Sequence, residues 1–118
     1  MEPKEGEYAF EMIDKLLQDC RKNNQALAFR IMCEDPTGEG LPKWLIDKGI
    51  KRTYIKCPEE GAHYVPDMSD RVFIGYHEKL IRAIGKRYDG HPDLAQVDIG
   101  SVGLWGEWHI SGSMEVTR

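Results

Sequence analysis

Apolar residues recur at three- and four-residue intervals in two stretches of this chain, and cluster into short runs in two others. Over residues 9–23, Phe10, Ile13, Leu17 and Cys20 fall on one helical face with Leu16 beside them, while Glu11, Asp14, Lys15, Gln18 and Asp19 take the other. That spacing predicts an amphipathic helix. Asn23-Asn24 closes it, asparagine being tolerant of the left-handed conformation that ends helices. Residues 25–33 form an apolar run broken only by Arg30 and read as a buried strand. Alternation places Arg30 with Ala28 and Met32, opposite Leu27, Phe29 and Ile31. A second helix is predicted over 67–88, where Phe73, Tyr76, Leu80, Ile84 and Tyr88 make one stripe that Val72 and Ile81 widen. Asp67 or Ser69 can cap it, Lys86 and Arg87 favour its C-terminal dipole, and Asp89-Gly90-His91-Pro92 stops it. Residues 94–100 read as a second strand, with Val97 and Ile99 on one face and Gln96, Asp98 and Gly100 on the other.

Between these elements, residues 34–66 are rich in proline, glycine and charge and read as a long irregular connection. It holds a short helix over 41–46, with Pro42 in the first position, and a loop over 56–63. Such an excess of loop after the C-terminal end of a strand is where α/β folds place binding segments. After Gly100 the pattern predicts no further element. The order helix, strand, long loop, helix, strand is that of an α/β chain with a parallel sheet. Two strands and two main helices stand poorly alone, because a parallel sheet needs cover on both faces.

The 118 residues bound the chain to one domain, residues 1–118. A net charge of −4, with no basic run, argues against nucleic acid and anionic membrane as partners. No apolar run approaches the ~20 residues of a membrane span. The N-terminus lacks a signal-peptide core, so the chain reads as soluble, of unassigned compartment. Cys20, Cys33 and Cys57 are odd in number and widely spaced, which favours buried free thiols over a disulfide framework. His63, His77, His91 and His109 match no zinc spacing, and neither a metal nor another cofactor is expected.

The candidate chemistry concentrates in Gly103-Leu104-Trp105-Gly106-Glu107-Trp108-His109. Indoles offer flat apolar faces for sugar rings or bases, and a carboxyl set between them can lose solvent and donate a proton near neutral pH. Gly103 and Gly106 permit backbone conformations that other residues resist. The alternative is a turn whose tryptophans plug a core and whose Glu107 is solvated. Arg30 and Asp98 fall on the same face if the two strands are parallel neighbours. They then either line a polar site or satisfy a sheet interior as a structural pair.

Four ordered segments carry a family resemblance. Glu2-Pro3-Lys4-Glu5-Gly6-Glu7-Tyr8-Ala9-Phe10, with Ile13-Asp14, resembles the Glu-Pro-x-x-Gly-x-Tyr-x-Phe run that opens the second helix of clan A glycoside hydrolase (β/α)8 barrels, family 42 β-galactosidases among them. Leu41-Pro42-Lys43-Trp44-Leu45 is similar to their Pro-x-Trp-Leu segment, and Ile84 to Pro92 to the run before their fourth strand. Gly106-Glu107 stands where that strand ends in Asn-Glu, and the Trp-Gly-Glu-Trp-His run also resembles uncharacterised barrel proteins of hydrolase-like sequence.

The resemblance implies a partial TIM barrel, from second helix to fourth strand, of a hydrolase acting on carbohydrate. Glu107 would be its general acid/base. Trp105, Trp108 and Trp44 would be stacking walls for sugar rings, and His109, Arg30 and Asp98 would orient hydroxyls or tune Glu107. The nucleophile would lie beyond this chain, with Glu34 and Asp98 the in-chain candidates for a second carboxyl. The segment alone would be inactive and would need the rest of the barrel, or self-association, to cover its apolar faces. A non-catalytic carbohydrate-binding barrel and a free-standing α/β interaction module are the alternatives.

Overall fold

The computed structural model describes residues 1–34, 40–57, 61–109 and 115–117, the last three by backbone alone. Helix α1 spans Glu11–Lys22 and buries Ile13 and Leu17. Asn24, at φ +52°, turns the chain out of it, as the asparagine pair predicts. Strand β1 follows over Leu27–Arg30 and helix α2 over Lys43–Asp47. Helix α3 covers Arg71–Tyr88 and leads to strand β4, Leu94–Asp98. Strands β1 and β4 pair in parallel, with Leu27 against Leu94 and, past an irregularity, Ala28, Phe29 and Arg30 against Gln96, Val97 and Asp98.

Both long helices pack on one face of this pair. Ile13 and Leu17 of α1 and Ile84 and Tyr88 of α3 form a buried cluster joined by Leu27, Phe29, Ile31 and Leu94. A polar seam locks the helices together. The Tyr88 hydroxyl donates to Asp14 Oδ1 at 2.7 Å and Arg87 Nη2 donates to Asp14 Oδ2 at 2.6 Å. The Arg87 and Tyr88 hydrogen bonds hold the Asp14 carboxyl below its ordinary range. Parallel strands with helices laid on one face are part of (β/α)8-barrel architecture.

The opposite face of the pair is open, so β1 is not the fully buried strand its composition suggests. Ala28 and Arg30 are exposed, while Leu27 and Phe29 are half-buried. On the other face of β4, the one Phe29 shares on β1, Val97 is exposed too, and beyond the strand Ile99 is 76% exposed.

The irregular reading of 34–66 needs correction. Strands β2, Arg52–Cys57, and β3, Gly61–Pro66, form an antiparallel hairpin, with Tyr54 opposite Tyr64 and Ile55 opposite His63. Strand β5, Glu115–Thr117, adds to the other edge of β2, so the chain does not run featureless after Gly100. The hairpin hides in the sequence because its solvent face carries Arg52 and Lys56, while Ile55 and His63 supply the buried one. Residues 35–39 and 58–60 of the predicted loop lie outside the described residues.

Two caps also shift. Pro42 precedes α2 as its cap residue with extended backbone, rather than opening the helix. Asp70, not Asp67 or Ser69, caps α3: its Oδ1 accepts from Val72 N at 2.8 Å and Phe73 N at 2.9 Å. Asp67 instead accepts from Ser69 N and Oγ, forming the turn that delivers Asp70 to the helix. A second cluster of Cys33, Leu45, Ile50 and Phe73 fills the space around α2 and the start of α3. Cys20 is half-buried and Cys33 buried, both as free thiols; the Cys57 side chain lies outside the description.

Candidate active site at the strand ends

Arg30 and Asp98 are register partners at the C-terminal ends of β1 and β4. Alternation puts both on the face away from the helices, where Arg30 Nη2 donates to Asp98 Oδ2 at 3.2 Å. Gln96, two residues before Asp98 and thus on the same face, donates from Nε2 to Asp98 Oδ1 at 2.8 Å. The other arm of the Arg30 fork reaches into the loop after β4. Its Nη1 donates to the Trp105 carbonyl at 3.1 Å and to Glu107 Oε1 at 3.3 Å. A planar guanidinium suits this divided task, since its donors are fixed relative to one another. The remaining oxygen of Glu107, Oε2, lies 3.4 Å from His109 Nε2.

The loop that brings Glu107 here is tightly wound. Leu104–Gly106 makes a single 3-10 turn, with Gly103, Trp105, Gly106 and Trp108 all at positive φ. Its ends are closed by Trp108 N donating to Val102 O at 3.0 Å and Leu104 N to His109 O at 3.2 Å. The Trp108 indole N–H donates to the Ile99 carbonyl. Leu104, 2% exposed, is the peg that fastens the loop to the body. Two glycines are obligatory on steric grounds. A Cβ on Gly106, at φ +68°, would lie 2.2 Å from the Gly100 carbonyl oxygen, and one on Gly103 would lie 2.8 Å from His109 N. Gly100 in turn leaves room for the Arg30 stem, 3.0 Å from where its Cβ would stand.

The structure therefore gathers Arg30, Asp98, Glu107 and His109 into one connected group, with the Trp105 backbone joined to it. Neither loop tryptophan plugs a core: Trp105 and Trp108 are exposed, and Leu104 has that task. Nor is Glu107 desolvated between indoles, since its side chain is about half exposed and held through Arg30 and His109. Trp44 is not brought to this group. It packs edge-on against Tyr76 and donates from Nε1 to the Glu2 carbonyl at 2.8 Å. Glu34 is buried, with Oε1 3.9 Å from Nε2 of the equally buried His63 on β3.

A second arrangement lies behind the strand ends and was not anticipated. His77, on α3, has Nε2 2.7 Å from Ser101 Oγ and Nδ1 3.6 Å from Cys33 Sγ. Burial lowers the imidazole pKa and pushes the Cys33 thiol up to about 12. The available signal was that His77 follows Phe73 by four residues, on the inward stripe of α3.

The chain belongs to glycoside hydrolase family 42, described as beta-galactosidase, whose family model matches residues 1–101. The match includes Arg30 and Asp98 and stops short of the Gly103–His109 loop. Comparison with curated proteins and with solved structures finds no match to the chain.

Proposed function

We propose that this chain supplies the acid/base side of a carbohydrate-hydrolysing site, with Glu107 as the general acid/base. The observation that carries the reading is the placement of the Glu107 carboxylate. It is gripped by Arg30 from the neighbouring strand, at the C-terminal ends of parallel strands, where (β/α)8 barrels perform their chemistry. Family membership supplies the substrate class, glycosides, with β-galactosides the first to test.

In this account Glu107 protonates the departing glycosidic oxygen; in a retaining enzyme it then takes a proton from the water that cleaves the sugar from the second carboxyl. Arg30, anchored by Asp98, fixes the direction of the carboxylate. The exposed faces of Trp105 and Trp108 provide stacking surfaces for sugar rings, and His109 orients Glu107 from its other oxygen. Glycoside hydrolysis needs a second carboxyl, about 5–5.5 Å away in a retaining enzyme and about 6.5–9.5 Å in an inverting one. Asp98 is committed to Arg30 and Gln96, and Glu34 is buried beside His63. The second carboxyl is accordingly assigned to another part of a complete barrel, which would also cover the exposed Val97 and Ile99.

A second reading, a barrel that binds carbohydrate without cleaving it, draws on one observation. Clan A sites place asparagine immediately before the acid/base glutamate. Here Gly106 holds that position, with no room for any side chain. The two readings separate in one experiment on the intact protein. Aryl β-galactoside hydrolysis and sugar-induced change in tryptophan emission are followed together. Turnover with an emission change supports the hydrolase, and an emission change without turnover supports the binding protein.

A further inference from the structure

His77 is the meeting point of three segments that are distant in sequence. Cys33 lies just past the end of β1, Ser101 just past the end of β4, and His77 midway along α3. The two contacts close over the strand ends beyond the Arg30–Asp98 pair, on the side of the helices. The ring plane is fixed by a parallel stack on Phe73, with centroids 5.7 Å apart and planes 5° apart.

The chemistry of the partners sets the protonation of the ring. The buried Cys33 remains a thiol, a group that can give or take a weak hydrogen bond, with its Sγ 3.6 Å from Nδ1. A neutral imidazole donates at one nitrogen and accepts at the other, and the thiol and the Ser101 hydroxyl, 2.7 Å from Nε2, can each take either role. An imidazolium would present N–H groups on both sides and lose the accepted bond, and burial also opposes that charge.

Ser101 is the stem of the Glu107 loop. The next residue, Val102, accepts the Trp108 N–H that closes the loop. Fixing the Ser101 side chain therefore fixes the base from which Glu107 projects.

We propose that His77 is a positioning residue, whose neutral imidazole clasps Cys33 to Ser101 and so holds the stem of the Glu107 loop against α3. The proposal rests on the acid/base reading of Glu107 only for its bearing on rate. Where the loop sits is a separate matter, and Trp105 and Trp108 report it directly.

The test uses the intact protein and the variants Ser101→Ala, His77→Phe, His77→Gln and the Ser101→Ala/His77→Phe double. Near-ultraviolet circular dichroism of the tryptophans reports the loop, and nitrogen-15 NMR of His77 reports its charge. Ser101→Ala and His77→Phe should each change the tryptophan signal, and the double should change it no further, because the two groups act as one contact. His77→Gln, which keeps an amide near the Nε2 position, should recover much of the wild-type signal. The NMR spectrum should show a neutral ring at neutral pH. On glycoside substrate, Ser101→Ala should lower kcat about tenfold with little change in KM, as expected for a loss of alignment. An unchanged tryptophan signal in folded Ser101→Ala overturns the proposal, as does an additive double variant or a ring charged at neutral pH. Should His77→Phe fail to fold, Ser101→Ala and the charge of the ring by NMR decide the matter alone. If Glu107→Gln leaves turnover intact while Ser101→Ala still moves the tryptophan signal, the acid/base reading fails and the clasp stands.

Discussion

Arg30 and Asp98 sit opposite one another on neighbouring parallel strands, and one Arg30 fork joins Asp98 at 3.2 Å and Glu107 at 3.3 Å. The strand register thereby sets where the loop carboxylate stands. A substitution at Arg30 should act on the loop more than on the fold. Both Arg30 and Asp98 are more than a third exposed, so the pair contributes little to stability, at most about 1 kcal/mol. Arg30→Met should leave the unfolding midpoint nearly unchanged while lowering kcat/KM on glycoside about tenfold or more. A denaturation curve and a rate measurement on the same preparation check this. A large loss of stability at unchanged rate would assign the pair to the sheet interior instead.

Gly106 offers the sharpest steric prediction. At φ +68°, with Gly100 O where a Cβ would go, it tolerates no side chain. Gly106→Ala should destabilise by about 1–3 kcal/mol through backbone strain and clash. Gly106→Asn, which writes the Asn-Glu pair of clan A into this chain, should cost at least as much and gain no activity. Chemical denaturation and turnover of both variants decide it. A stable, more active Gly106→Asn would show that the loop can adopt another path.

Leu104 is the apolar anchor of the same loop. Truncation to alanine should cost about 2–4 kcal/mol by cavity formation and lost transfer energy. It should also increase quenching of the loop tryptophans by acrylamide, whereas truncating the exposed Met12 should do neither.

The Asp14 seam gives a pH prediction. Hydrogen bonds from Arg87, then Tyr88, hold the folded-state carboxyl below its ordinary value of 3.8. The unfolded chain therefore takes up a proton first as acid is added. The seam's contribution is fully present above the ordinary carboxylate value and is lost as pH falls from about 4 through the lowered one. Asp14→Asn should flatten this part of the acid-unfolding profile while losing stability at neutral pH. Tyr88→Phe, which removes a buried hydroxyl that donates to Asp14, should cost about 1–2 kcal/mol at neutral pH.

What could be read from sequence followed the strength of the periodic signal. The two long helices announce themselves through stripes that turn out to bury Ile13, Leu17, Phe73, Ile84 and Tyr88. The shared face of Arg30 and Asp98 followed from period-two alternation on the condition that the two strands be parallel neighbours, and the register meets that condition. The hairpin was hidden because a strand wet on one face spends half its positions on residues such as Arg52 and Lys56, which resemble loop. The cap at Asp70 competed with two neighbours of equal chemistry, and only the backbone path chooses among them. Trp44 was placed at the site by the resemblance, but α2 turns its indole onto Tyr76. The Cys33–His77–Ser101 clasp has no local signature at all, since it exists only where three segments converge.

The most direct measurement of the central claim is the dependence of Glu107→Gln turnover on the leaving group in the intact protein. If Glu107 is the acid/base, the variant should lose about 10²–10⁴-fold in kcat/KM on glycosides with poor leaving groups. It should lose far less on activated aryl glycosides, which depart without protonation. Equal turnover by wild type and Glu107→Gln across the series would contradict the account.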